Sequence, residues 1–285
     1  MRAHRPLDTL RGAAALALLA ALAAACGDPA SDGDSDGDDP TATNGTTGDA
    51  STTGTADATG DTSGDTTGGH ACGLAEVPCV PQAIEELGLL ADTVSDASVS
   101  NSADGDGWRS VLDASAGGAM AAAMNPWVYL RFTDAGLARV DLDDVAATES
   151  DAWDVAAKRY GIRVNSGTSG PSCVLVATAE GDYAAIAAAP DDAEFAAERY
   201  YDDSCALIED SSGIAGNPAY RMSGWWGYAG CVTTTGQSYV VRLADGRDVK
   251  LVIDAYYAEG QEACNESGSM GTGSATMTWR WSYLP

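Results

Sequence analysis

Histidine is almost missing from this sequence. Its 285 residues include two, His4 and His70, and none lies in 71–285. Hydrolytic triads of the Ser-His-Asp or Cys-His kind therefore have no base in that part of the chain. A histidine-built zinc or non-haem iron site has no ligands there either. Positive charge is scarce too. Fifteen Lys and Arg face 42 Asp and Glu, for a net charge of −27. That balance excludes nucleic acid and anionic lipid headgroups as partners. No C-x-x-C spacing occurs, which argues against a thiolate metal site. Long apolar runs are missing as well. The longest, Gly12 to Ala25, is 14 residues, short of the roughly 20 needed to cross a bilayer. Carboxylates are so abundant that no spacing singles out an acid/base pair, and no enzyme activity is expected.

What the N-terminus does contain is export signalling. Arg2, Arg5 and Arg11 precede the Ala/Leu run, the order of a basic n-region and a short h-region. Residues 1–25 are expected to be a signal peptide. Ala23-Ala24-Ala25 leads into Cys26 as in a lipobox, with Leu22 one residue earlier than usual. Cys26 is expected to be lipidated; the alternative is an ordinary secretory signal cut within the Ala-rich stretch. Residues 26–70 follow as a linker. Gly27 to Gly69 holds ten Asp and no Lys, Arg or aromatic residue. It has too little apolar surface to offset its ordering entropy, so a disordered, self-repelling tether is expected. Asp32-Gly33-Asp34-Ser35-Asp36-Gly37 matches half of a calcium loop, but Thr43 stands where the closing Glu belongs. Subtracting +2 on residues 1–26 and −10 on the linker leaves −19 on the remainder.

Residues 71–285 fit one domain, with 71–107 as a cysteine-containing lead-in. An even set of six cysteines in an exported chain implies disulfides. The expected pairing is between neighbours: Cys72–Cys79, Cys173–Cys205 and Cys231–Cys264. Short apolar runs between Gly, Asp and Pro read as strands, so the fold expected is all-β and mainly antiparallel, with few short helices. The runs are Val111-Leu112, Trp127 to Phe132, Trp153 to Val164, Tyr239 to Leu243, Val249 to Tyr257 and Ala275 to Tyr283. Helices are expected at Ala83 to Leu90 and Asp191 to Tyr201. Asp104-Gly105-Asp106-Gly107 reads as a turn. One hairpin can be put in register. A three-residue loop, Ala244-Asp245-Gly246, opposes Val241 to Val249, Tyr239 to Leu251 and Arg242 to Asp248, with Gly246 left-handed. Met222-Ser223-Gly224-Trp225-Trp226-Gly227-Tyr228 has two readings. Flanking glycines could leave an indole exposed for a flat ligand, or the two Trp could cover opposite faces of a strand.

Asp151 to Gly170, DAWDVAAKRYGIRVNSGTSG, resembles the signature of the HmuY family of haem-binding bacterial surface lipoproteins. The matching residues are Trp153-Asp154, Arg159-Tyr160, Ile162-Arg163, Asn165, Gly167 and Ser169-Gly170. Leu112-Asp113-Ala114-Ser115 with Trp127-Val128-Tyr129 resembles the family's opening strands. Tyr239-Val240-Val241-Arg242 with Ala244-Asp245-Gly246 and Lys250 resembles its late hairpin. The resemblance spans about residues 108–285. It implies a β fold, haem as cofactor, and capture of free haem or haem from a haemoprotein donor, at the outer membrane or cell surface. It also implies two axial ligands in loops before and within Tyr220 to Thr235. No His is present there. Met222 is the expected metal ligand, with Tyr228 as a second candidate and Trp225 and Trp226 lining the pocket; Met120, Met124, Met270 and Met277 are the remaining thioethers.

Overall fold

The structure, a computed structural model, describes residues 72–115 and 124–285. The signal peptide, Cys26, the linker, both histidines and Met120 lie outside the described residues. Among those described, no helix is long and apolar enough to cross a membrane.

The described residues are mainly antiparallel β, with two short α-helices among them. A six-stranded sheet runs β1 (Val99–Asp104), β2 (Gly107–Asp113), β12 (Ser274–Tyr283), β11 (Asp248–Tyr257), β10 (Ser238–Arg242), β7 (Leu175–Ala179). A four-stranded sheet runs β4 (Gly136–Val140), β3 (Val128–Thr133), β5 (Val155–Lys158), β6 (Gly161–Val164). A two-stranded ribbon, β8 (Trp226–Tyr228) with β9 (Val232–Thr234), stands apart. Helix α1 is Val80–Glu86 and α2 is Glu262–Ser267.

The core follows from side-chain alternation. Along β12, Ala275, Met277, Trp279 and Trp281 point inward while their neighbours do not. They meet Leu112, Leu251, Val155 and Ile162 in one cluster shared by the two larger sheets, and Phe132 packs edge-on against Trp281 at 4.9 Å. The four-stranded sheet is covered on its other face too. Trp127, Tyr129 and Ala156 pack there with Ala83 and Leu89 of the lead-in and with Tyr200, Tyr201 and Tyr220. Burial on both faces explains why Trp127 to Phe132 is a nearly unbroken apolar run.

The hairpin expected from alternation is present. Tyr239 pairs with Leu251, Val241 with Val249 and Arg242 with Asp248. Gly246 sits at φ 86° and its N–H donates to Leu243 O. Trp153 to Val164, read as one run, is instead the β5–β6 hairpin.

Two expectations are corrected. Only Cys231–Cys264 pairs as neighbours; the others are Cys72–Cys173 and Cys79–Cys205, with Cα atoms 6.0 and 5.4 Å apart. The reason is where the lead-in lies. Ala75 N–H donates to Pro171 O, and α1 buries Ala83 in the cluster that holds Tyr200. This route brings Cys72 to Cys173 and Cys79 to Cys205. Asp191 to Tyr201 is not a helix beyond a single 3₁₀ turn at Asp192–Glu194. Its backbone bonds go elsewhere: Ala196 exchanges both bonds with Val176 at the edge of β7, and Glu198 and Tyr200 are held by Ser166 and Thr168. Tertiary partners override the helical propensity of its alanines.

The signature stretch makes the corner after β6. Asn165, fully buried, donates to Ser150 O and Trp153 O and accepts from Ser172 N–H. Gly167 has φ +54°, and a Cβ there would lie 2.1 Å from Glu198 O. These residues shape the backbone.

Candidate binding site

The β5–β6 turn presents the most unusual chemistry. Lys158 pairs with Gly161, leaving Arg159 and Tyr160 as a two-residue loop. Of these two only Arg159 has positive φ, 53°, the pattern of a type II′ turn, where glycine is the usual first residue. A side chain there costs on the order of 1 kcal/mol. Arg159 N–H is anchored to Ala114 O, and its guanidinium lies 5.0 Å from the Tyr160 ring.

This turn opens onto a cleft of about 160 Å³, lined by Trp127, Lys158, Arg159, Tyr160, Gly161 and Tyr220, with Leu87 and Asn217 at its edge. Trp127 and Tyr220 meet edge-on at 5.7 Å. Trp127 Nε1 and Lys158 Nζ are both buried and find no acceptor among the described residues. Burial lowers the Lys158 pKa. Beneath the cleft lies Arg163, about 1% exposed, its guanidinium 4.5 Å from the Trp127 ring and 5.7 Å from Trp153. It donates to Tyr129 Oη, and Tyr129 donates to Asp144 Oδ1. Asp144 is otherwise occupied, accepting from the N–H groups of Trp127 and Leu90.

A larger cleft of about 380 Å³ lies along Glu198, Tyr201, Arg221 and the Cys79–Cys205 bridge. Its polar groups are largely satisfied within the fold. Glu198 accepts from Val164 N–H and Arg221 N–H. Burial pushes its carboxyl up to about 7, and burial likewise raises Asp154 to about 6. Both carboxyls ionise more easily in the unfolded chain, near 4. The folded state therefore holds more protons between those values, and stability falls as pH rises through the window toward 7. Chemical denaturation should show the chain more stable at pH 5.5 than at pH 8 by roughly 1–3 kcal/mol. Glu198→Gln should flatten the profile; an unchanged slope in that variant would contradict this account.

The residues singled out from sequence fall on both sides of the surface. Met222 is fully buried, with Tyr239 Oη donating to its carbonyl. Trp225 is buried and donates from Nε1 to Tyr160 O. Trp226 is buried with its ring 4.3 Å from that of Tyr160. Tyr228 is exposed. Met222, Trp225 and Trp226 thus belong to the shared core, and neither indole is left open to solvent. Met222 lies in the core and Tyr228 on the surface, so in this structure they do not present a paired set of axial iron ligands. Met124 and Met270 are exposed and Met277 is buried in the core. Tyr160 joins the two regions, lining the cleft and packing on Trp226. Lys158, Trp127 and Tyr220 escaped the sequence reading; the one signal for them was a lysine closing the apolar strand Val155-Ala156-Ala157.

The family model described as HmuY protein matches residues 123–267, more than half of the chain. The chain belongs to the HmuY family. A comparison with curated proteins finds no match. Among solved structures, a protein from Bacteroides vulgatus described as HmuY-like and haem-binding shares 19% identity with this HmuY domain. It covers 62% of this chain and 91% of its own, at a TM-score of 0.39. The apo HmuY analogue of Tannerella forsythia shares 12% identity over 68% of this chain and 100% of its own, at 0.33.

Proposed function

We propose that this HmuY-family chain is a non-catalytic binding protein for haem or a related tetrapyrrole. In this reading it is exported and held at the outer membrane or cell surface by a lipid on Cys26, and it takes haem free or from a haemoprotein donor. Membership of the HmuY family carries the proposal. The cleft beside Tyr160 supports it, because aromatic faces beside cations suit the edge of a flat, carboxylated ring. Binding through Met222 would require residues 222–228 to leave the core, so the ring and its carboxylates are the natural handles, with Tyr160 against the ring edge.

Hemin titrated into the purified chain should quench tryptophan fluorescence and change the Soret band. Iron-free protoporphyrin should quench within about tenfold of the same concentration. No response to either compound would sink the proposal. Palmitate labelling that survives Cys26→Ser would remove the anchor.

One observation favours a second reading. Met222 and Trp225 fill the space between the sheets, as in a domain that keeps the fold for protein contacts and has no haem site. A folded chain silent to both tetrapyrroles would select it.

A further inference from the structure

We infer that the cleft at the β5–β6 turn is a carboxylate site, taking the aliphatic carboxylate arm of a ligand. The inference deepens the tetrapyrrole reading and rests on it for the identity of the whole ligand, but not for the chemistry of the pocket.

Four observations converge. Trp127 Nε1, buried in a residue 3% exposed, is a donor without an acceptor among the described residues. Lys158, a residue lining the same cleft, carries a second such buried donor at Nζ. A buried N–H left unpaired costs about 1–3 kcal/mol, and an unpaired ammonium more. Two in one small cleft therefore call for an acceptor that is not supplied by the surrounding fold. The charge balance points the same way. Lys158 and Arg159 line the cleft and Arg163 lies under Trp127, whereas no carboxylate lines it. The one nearby carboxylate, Asp144, already accepts three hydrogen bonds. In a chain of net charge −27 such a cationic spot is an exception. Arg159 also holds the left-handed position where glycine would be unstrained, so an arginine is kept at the cleft against its backbone preference.

The shape selects the ligand class. A cleft of about 160 Å³ admits a short carboxylated chain and excludes a ring system. Its walls, Tyr160, Tyr220 and the face of Trp127, suit the methylenes of such a chain. A carboxylate has two oxygens, one for the Lys158 ammonium and one for the Trp127 indole N–H. Arg159 adds its positive charge to the lining.

Sodium propionate is the probe. In ¹H–¹⁵N spectra of the folded chain, one indole N–H resonance should move downfield and saturate in the millimolar range. Its loss in Trp127→Phe assigns it. Sodium chloride at equal ionic strength should not move it. Lys158→Gln and Lys158→Met, the latter keeping the apolar stem, should each weaken the response at least tenfold. Lys250→Gln, at a lysine that donates to Ile186 O on another face, should leave it unchanged. No indole shift, an equal shift with chloride, or full response in both Lys158 variants would overturn the inference. A propionate shift in a chain that ignores hemin would retain the carboxylate site and discard the tetrapyrrole. Tetrapyrrole binding without a propionate shift would do the reverse.

Discussion

Replacing Cys79 and Cys205 together by Ser should cost about 4 kcal/mol of stability, read as a large drop in the urea midpoint. The figure follows from chain entropy. The bond joins residues 126 apart, but with Cys72–Cys173 intact the covalent path between them through that bridge is about 39 residues, and closing a loop of that size restricts the unfolded chain by roughly 4 kcal/mol. Losing Cys231–Cys264, across 33 residues, should cost about as much, roughly 3–4 kcal/mol by the same relation. Both cysteines of the long bond hold positive φ, 60° at Cys79 and 61° at Cys205. Their relaxation on release would return part of the loss. The cleft at the β5–β6 turn should loosen as well, because Leu87, which lines it, directly follows α1. A double variant within about 1 kcal/mol of the parent would show that the lead-in is held by packing alone.

Arg163→Met should destabilise by about 3–5 kcal/mol. The guanidinium lies among Trp127, Tyr129 and Trp153 and donates to Tyr129. Asp144 acts on it through space, and it in turn acts through space on the buried carboxyl of Glu198. Methionine fills part of the volume and restores none of the charge. Tyr129 would lose the donor to its oxygen, and buried Glu198 would lose a nearby cation, so its carboxyl should titrate higher still. Thermal melts at pH 5.5 and 8 separate the two effects: the packing loss is common to both, and the charge loss grows at pH 8. Arg163→Met melting within about 2 °C of the parent at both pH values would refute the account.

The sequence disclosed some parts of this fold and hid others for definite reasons. The Tyr239 to Ile253 hairpin was legible because both strands alternate and only one loop length sets apolar against apolar. The tryptophans of β12 were legible for the same reason. Cysteine pairing was not, because it depends on the lead-in crossing to Pro171, and no local pattern encodes that crossing. Asp191 to Tyr201 misled because its Ala and Glu carry helical propensity while Ala196 serves the edge of β7. Trp225 and Trp226 left an exposed platform and a buried strand both open; in the fold Tyr160 covers Trp226 with its ring and accepts from the Trp225 indole N–H with its carbonyl. The cleft was hidden for a related reason. Trp127 and Lys158 are 31 positions apart, on strands β3 and β5 whose pairing sets Val128 opposite Ala157.

The two crossed bridges also decide how this domain bears load. A pull arriving from the N-terminal side enters at Cys72 and passes at once into Cys173, just before β7. The strain is spread across covalent bonds into the middle of the chain before it can unzip the hydrogen bonds of β1 from β2. A domain towed by its front end would stay shut under drag, with its binding face undisturbed.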